Sequence, residues 1–432
     1  MAYKVGLLGL GTVGTGTAEI IQDPVGRHPL IQEIEIKRVG VKNLDKPRKV
    51  KFPPGIMTTD LESIVQDPEI DIVVELLGGI EPALSLILQG ISHGKHIVTA
   101  NKAVIARHGA EIYTAANQAG VYVLVEAAVG GGIPVVEPLK QSLGANRIKS
   151  VLGIVNGTTN YILTQMTQFG SDFDEVLAEA QKLGYAEADP TADVDGWDAA
   201  DKITILASLA FGDRVKREEV YCEGIRHITP TDIQYAEQLN FTIKLLAIAQ
   251  NHLTGNGDSL QVRVHPTLVP QGHPLASVND VYNSILIEGE PLGQVMFFGP
   301  GAGAGPTASA VVADIMNIVG VLKSSGKSAT LDPLLSCSHQ HYCTITPINQ
   351  IVSRFYARFL CQDKPGVIGH LGTCFGNHAV SLESIVQIGF KGEAAEIVVI
   401  THDVQEGDFR QALAEIKQSE AIKDIPSILR VL

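Results

Sequence analysis

The sequence predicts an α/β protein in three parts: a doubly wound parallel sheet first, an α+β region second, and a small βαββαβ module last. Three observations carry that reading. A glycine fingerprint lies between an apolar run and a helix signal at the very start of the 432-residue chain. Short apolar strands then alternate with helical stretches up to about residue 130, joined by short connections. Residues 353–432 read as strand, helix, strand, strand, helix, strand.

Val5, Leu7 and Leu8 lead into Gly9-Leu10-Gly11-Thr12-Val13-Gly14, and a helix is expected from Thr15 to about Gln22. In that setting each glycine has a physical role. Gly9 permits the tight turn, Gly11 lets backbone approach a diphosphate, and Gly14 allows close helix–strand packing. The amide-rich helix start then faces the anion. This is a Rossmann-type dinucleotide site. The second strand, about Ile34–Val41, ends at Lys42-Asn43 with Lys46, Arg48 and Lys49 behind it. A lysine attracts a 2′-phosphate where a carboxylate would bond a 2′-hydroxyl, so Lys42 favours NADP(H) over NAD(H). Further strands are expected at Ile70–Glu75, His96–Thr99 and Val121–Val125, with a helix at Glu81–Gly90. Ligands gather beyond the carboxyl ends of such strands, which places Leu76–Gly79 and Lys102 towards the cofactor.

Gly130-Gly131-Gly132-Ile133-Pro134 leads into the second region. A turn at Asn156–Thr159 precedes a helix from Asn160, and a helix over Asp174–Leu183 stops at Gly184. Glu187, Asp189, Asp193, Asp195 and Asp198 then crowd ahead of an apolar helix, Ile203–Phe211. Two readings of this segment stand. Asp195 as N-cap with Asp198 near N3 resembles a capping box. Alternatively, Asp198 and Lys202, at i and i+4, share a helix face on which a carboxylate orients a general acid. A second glycine-rich loop, Gly299–Gly305, precedes a helix from Ala308. The resulting division is 1–130 for the dinucleotide, 131–325 for substrate and dimerisation (with the 307–325 helix packing back on the first domain), 326–352 as linker, and 353–432 as the last module.

A net charge of −14, with no basic run, excludes non-specific nucleic-acid binding. The five scattered cysteines contain no C-x-x-C pair, which fits a reducing cytoplasm without a disulfide framework. Ile203–Phe211, taken as the longest apolar stretch, is too short to span a bilayer, so no membrane is expected.

With these motifs in view, the chain resembles homoserine dehydrogenase followed by a C-terminal ACT domain. The resemblance covers essentially the whole length. It rests on the fingerprint, Thr99-Ala100-Asn101-Lys102, Glu126–Pro134, Asn156-Gly157-Thr158-Thr159-Asn160, the Gly184–Lys202 segment, Gly299–Gly305 and Asp363–Gly369. It implies interconversion of L-homoserine and L-aspartate 4-semialdehyde with a nicotinamide cofactor, in threonine and methionine biosynthesis. By the same resemblance, Lys202 is similar to the lysine that gives or takes the substrate proton, and Lys102 to the one beside nicotinamide and substrate. Glu187, Asp198 and Asp193 look like the substrate-holding carboxylates. Leu10, Thr12, Val13, Gly184 and Gly303 match cofactor contacts. Glu126 and the carbonyls of Val129, Gly131 and Ile133 match a monovalent cation site, usually sodium. A homodimer or homotetramer and an L-threonine effector on the ACT domain are also implied. Two rivals are weighed against this: a phosphorylating semialdehyde dehydrogenase, which needs a cysteine nucleophile beside the nicotinamide, and a sensor without turnover, which would lack Lys202, Asp198 and Glu187.

Overall fold

The computed structural model describes the chain apart from residues 1, 255, 256, 326–330, 338, 340 and 393; part of the expected linker therefore lies outside the described residues. The chain divides into two compact units: residues 1–151, 201–219 and 283–343, and residues 152–200, 220–282 and 344–432.

In the first unit, Tyr3–Leu8 lies between Ile34–Gly40 and Ile72–Glu75, with Met57–Thr58, His96–Thr99 and Val123–Leu124 completing a six-stranded sheet. Every pairing in it is parallel. Val5, Leu7, Leu8, Ile72, Val73 and Val74 are all fully buried, which explains strands that are apolar throughout rather than alternating. Chain order reverses at the first strand, so a crevice opens beyond its carboxyl end. The first helix starts at Thr12, three residues earlier than expected from sequence, because Thr15 N–H already bonds the Gly11 carbonyl at 2.9 Å. The helix expected at Glu81–Gly90 runs Ala83–Ser92, and an eighteen-residue helix, Lys102–Ala119, was not read from sequence at all.

The helix Ala304–Ser325 packs on Thr12–Gln22. Over 304–324 it, rather than Ile203–Phe211, is the one described helix long and apolar enough to cross a membrane, but half of that window is buried in the protein. Val311, Ile315, Ile318 and Val319 join the sheet's core. It is a core helix.

In the second unit, Phe241–Thr254 and Gly257–Pro270 form a long antiparallel pair. Thr267 and Leu268 then pair in parallel with Arg430 and Val431 of the last strand, Ile422–Val431. That strand continues antiparallel into Val352–Gln362, Ala394–Thr401 and Leu382–Lys391. With helices Val367–Asn377 and Glu406–Ile416, these strands give the expected βαββαβ order. Their core stacks Phe355 on Phe409 with ring centroids 4.2 Å apart, beside Phe375 and Phe359. The C-terminal module is thus hydrogen-bonded into the sheet of this unit.

Two buried groups of the second unit show how charge is handled there. Arg358 bridges Asp232 and Glu396 at 2.9 Å each. His265 is almost fully buried, accepts from Arg263 Nε at 3.2 Å, and is held well below its usual protonation range by burial and by Arg430 and Arg263. It is neutral when folded but takes a proton below about pH 6.5 when unfolded. Its contribution to stability is therefore full above that pH and falls by up to about 1.4 kcal/mol per unit as pH drops. Urea midpoints at pH 7, 6 and 5 should decline less steeply for His265→Gln than for the parent; parallel declines would contradict this assignment.

Candidate active site

The fingerprint loop closes on itself. Gly9 has φ of 106°, and a Cβ on Gly14 would lie 2.2 Å from the Gly9 carbonyl oxygen, so any larger residue there forces the turn apart. Gly11 and Thr12 are exposed at the helix start, while Leu10 and Val13 pack on the core; a Cβ on Gly11 would meet nothing within 4 Å. The amides of this helix start therefore face open space, as a diphosphate requires. A Cβ on Gly16 would lie 2.7 Å from the Ala304 carbonyl oxygen, which brings the second glycine-rich loop, including exposed Gly303 (φ 123°), against the first helix. Lys42 is exposed just past its strand. Behind it, Arg48 donates to the carbonyls of Leu44, Lys46 and Asn43 and so folds that basic loop.

Lys102 is placed by three side chains. Fully buried Glu75 accepts from Leu77 N–H (2.7 Å) and Thr99 Oγ1 (2.6 Å). Thr99 Oγ1 in turn accepts from Asn101 N–H at 2.9 Å. Asn101 donates to the Gly79 carbonyl (2.7 Å) and caps the helix at Val104 N–H, which sets half-buried Lys102 as its first residue. The Thr-Ala-Asn-Lys motif is a clamp joining two strand-end loops.

The candidate cation turn has a different logic from the one its acid suggests. The carboxylate of Glu126 accepts from the amides of Val135 (2.7 Å), Val136 (2.9 Å) and Glu137 (2.7 Å). Burial raises the pKa of this acid against those three bonds. Its own N–H donates to Asp314, a fully buried acid whose pKa burial pushes well up. Glu126 thus holds the shape of the turn with its side chain, and a cation there would rest on the backbone carbonyls of residues 126, 129, 131 and 133. Gly130 and Gly131, with φ of 74° and 58°, give that turn its curl, and Val129 and Ile133 are buried beside it. Such donors suit a hard cation. No group of three or more His, Cys, Asp or Glu side chains poised for a metal occurs among the described residues.

In the second unit, Asn156 is the N-cap of the helix Gly157–Phe169, accepting from Thr159 N–H at 2.8 Å, so the helix begins within the expected turn. Its amide nitrogen donates to Asp193 (2.7 Å) and to buried Asp198 (2.8 Å), joining two of the three expected carboxylates. Glu187 is exposed, and among the described residues its carboxylate has no hydrogen-bond partner. Gly184, at φ 78°, ends the helix Phe173–Leu183, a local reason for a glycine there. The capping-box reading of the next helix fails. Asp195 pairs with Arg226, and the Gly196 carbonyl instead accepts from Ala200 N–H at 2.9 Å. The helix Trp197–Phe211 passes from one unit into the other and carries Asp198 and half-buried Lys202 one turn apart on one face. Asp201, next to Lys202, is taken by Arg217 (2.7 Å) and Arg107 (3.0 Å).

Comparison with known proteins places the chain's regions in known domain families. Residues 9–126 match the NAD-binding domain of homoserine dehydrogenase, 134–316 match homoserine dehydrogenase, and 355–421 match the ACT domain. A homoserine dehydrogenase from Synechocystis sp. is 69% identical over 432 residues, which is 100% of both chains. The chain belongs to the homoserine dehydrogenase family. The structure of a homoserine dehydrogenase from Thiobacillus denitrificans is similar with a TM-score of 0.93 at 40% identity, over 100% of this chain and 98% of that one. A hyperthermophilic archaeal homoserine dehydrogenase in complex with NADPH is similar over 74% of this chain and 98% of its own, with a TM-score of 0.61 at 26% identity. Family membership makes the chain an oxidoreductase with a nicotinamide-nucleotide domain.

Two polar groups that position the candidate site escaped sequence reasoning. Asn156 was visible only as part of a turn, although an Asn before a helix is an N-cap signal. Asp314, an acid inside an apolar helix, was a signal left unread. Replacing Asn156 with Ser keeps a capping oxygen but removes the donor to both carboxylates. Asn156→Ser should raise KM for homoserine at least about tenfold, the effect of about 1.4 kcal/mol, with NADPH affinity unchanged in a fluorescence titration. An unchanged KM would show that the Asn156 bridge does not shape the substrate site.

Proposed function

We propose that this protein interconverts L-homoserine and L-aspartate 4-semialdehyde with NADP(H), Lys202 giving or taking the substrate proton. The observation that carries the reading is that one compact unit holds the fingerprint, the clamped Lys102 and Lys202 together. A bound nicotinamide would supply or accept the hydride. In the reducing direction the aldehyde oxygen gains negative charge; protonated Lys202 steadies that charge and then donates its proton to the oxygen. In the oxidising direction Lys202 takes the hydroxyl proton. Asp198, one turn back on the same helix face, aims the lysine. Asp198, Asp193 and Glu187 hold the substrate's ammonium group, and Lys102 orients the reacting end.

Lys42, with the basic loop folded by Arg48, favours a 2′-phosphate and therefore NADP(H), in keeping with the archaeal relative solved with NADPH. A monovalent cation, sodium in our reading, would sit on the carbonyls of residues 126, 129, 131 and 133. The C-terminal domain would bind L-threonine as effector in a homodimer or homotetramer of the cytoplasm, under the division 1–130, 131–325, 326–352 and 353–432. The cysteine-nucleophile rival is disfavoured: burial raises the thiol pKa of Cys337 and Cys374 and pushes Cys343 and Cys361 up to about 11, and the thiol of Cys222 donates to the Asp195 carbonyl at 3.2 Å.

Lys202→Ala should lower kcat by at least about 10²-fold, the usual size of an acid–base contribution, with NADPH binding little changed. Near-normal kcat would remove Lys202 from the role. Following cofactor oxidation with aspartate semialdehyde should give kcat/KM at least about tenfold higher for NADPH than for NADH, and L-threonine should slow the full chain. Equal use of both cofactors would overturn the role of Lys42, and indifference to threonine would overturn the proposed effector.

A further inference from the structure

The first unit also contains a pocket whose lining includes neither the fingerprint nor Lys102 nor Lys202. It has a cavity volume of about 80 Å³ and lies against the helices Lys102–Ala119 and Trp197–Phe211. Ile105, Ile205, Leu209 and Val215 give it apolar walls. Its charged lining is Arg107, Arg214, Lys216 and Arg217 against Glu218 alone, a local positive excess in a chain of net charge −14.

Three of those cations are accounted for. Arg107 and Arg217 hold Asp201, and Lys216 pairs with Glu219 at 3.2 Å and lies over the Tyr342 ring. Arg214 differs. Among the described residues its side chain makes no hydrogen bond or ion pair, neighbouring Asp213 included, and its Nε is buried. Arginine cannot shed its proton, so a partly desolvated guanidinium facing apolar walls lacks the anion that would offset its lost hydration.

We propose that this pocket binds a small organic monocarboxylate with an apolar body. Its carboxylate would be forked on Arg214, and its hydrocarbon part would rest on Ile105, Ile205 and Leu209. A planar fork suits a carboxylate, and the apolar walls select against a small, fully hydrated anion. Arg107 and Arg217, which also line the pocket, hold the residue immediately before Lys202. Occupancy therefore acts on the helix turn that carries Lys202, a consequence that rests on the proton-transfer role proposed above; binding itself does not.

The test is calorimetry on the full chain with isovalerate, its neutral amide isovaleramide, and inorganic phosphate. Isovalerate should bind with Kd in the range of about 0.1–1 mM, and the other two at least about tenfold more weakly. Arg214→Gln should weaken isovalerate at least about tenfold while basal kcat and NADPH affinity stay unchanged. Equal binding of the amide or phosphate, equal binding by Arg214→Gln, or no isovalerate binding up to about 50 mM, far above any functional Kd, would overturn the proposal. Should Arg214→Gln fail to fold, a crystal soaked with isovalerate decides instead: density on Arg214 supports the site, and density elsewhere or none overturns it. Loss of kcat in Lys202→Ala, or its absence, bears on the catalytic reading alone.

Discussion

Contact of backbone on backbone at a few glycines is the constraint on which the rest of the first unit depends. A Cβ on Gly14 would strike the Gly9 carbonyl, one on Gly16 the Ala304 carbonyl, and one on Gly131 the Gly301 carbonyl at 2.4 Å. These contacts draw together three stretches far apart in sequence, 9–16, 130–132 and 299–305. Side chains there would hold the segments apart and close the space in which a flat, anionic dinucleotide must lie. The helix Ala304–Ser325 is apolar for the same reason: it must lie flat on the first helix for the loops to meet.

Around this frame, polar groups act by fixing one another rather than by exposure. Glu75, Thr99 and Asn101 position Lys102; Glu126 uses its carboxylate to shape a turn; Asn156 joins Asp193 to Asp198. A buried acid satisfied by amides or by an amide nitrogen is less disruptive than one left unpaired, and it is also immobile. Catalytic proposals for this family member rest on that immobility, because a proton donor must meet its acceptor without a search.

Legibility in the sequence followed locality. The fingerprint and the terminal βαββαβ module were readable because their signals lie within a few residues: glycine spacing, and apolar strands bounded by turns such as Asp363–Gly366. The Lys102–Ala119 helix was hidden because its cap, Asn101, follows only two residues after the end of the strand His96–Thr99. Strands Phe241–Thr254 and Gly257–Pro270 went unread, although each is the other's antiparallel partner along its whole length. At Gly196 a local rule lost to packing. Its carbonyl opens the helix, while a Cβ there would meet Cys222 Sγ at 3.0 Å, so Asp195 was released to pair with Arg226. That the Glu126 carboxylate accepts from the amides of Val135, Val136 and Glu137 could not be read from sequence, because those partners lie nine to eleven residues along the chain.

The measurement that bears most directly on the account is a crystal structure with NADP and homoserine bound together. The account requires the diphosphate on the amides of Gly9–Gly14 and Lys202 Nζ within about 3 Å of the substrate hydroxyl, the reach of a general acid or base. A diphosphate bound elsewhere, or a hydroxyl served by a different side chain with Lys202 turned away, would contradict it.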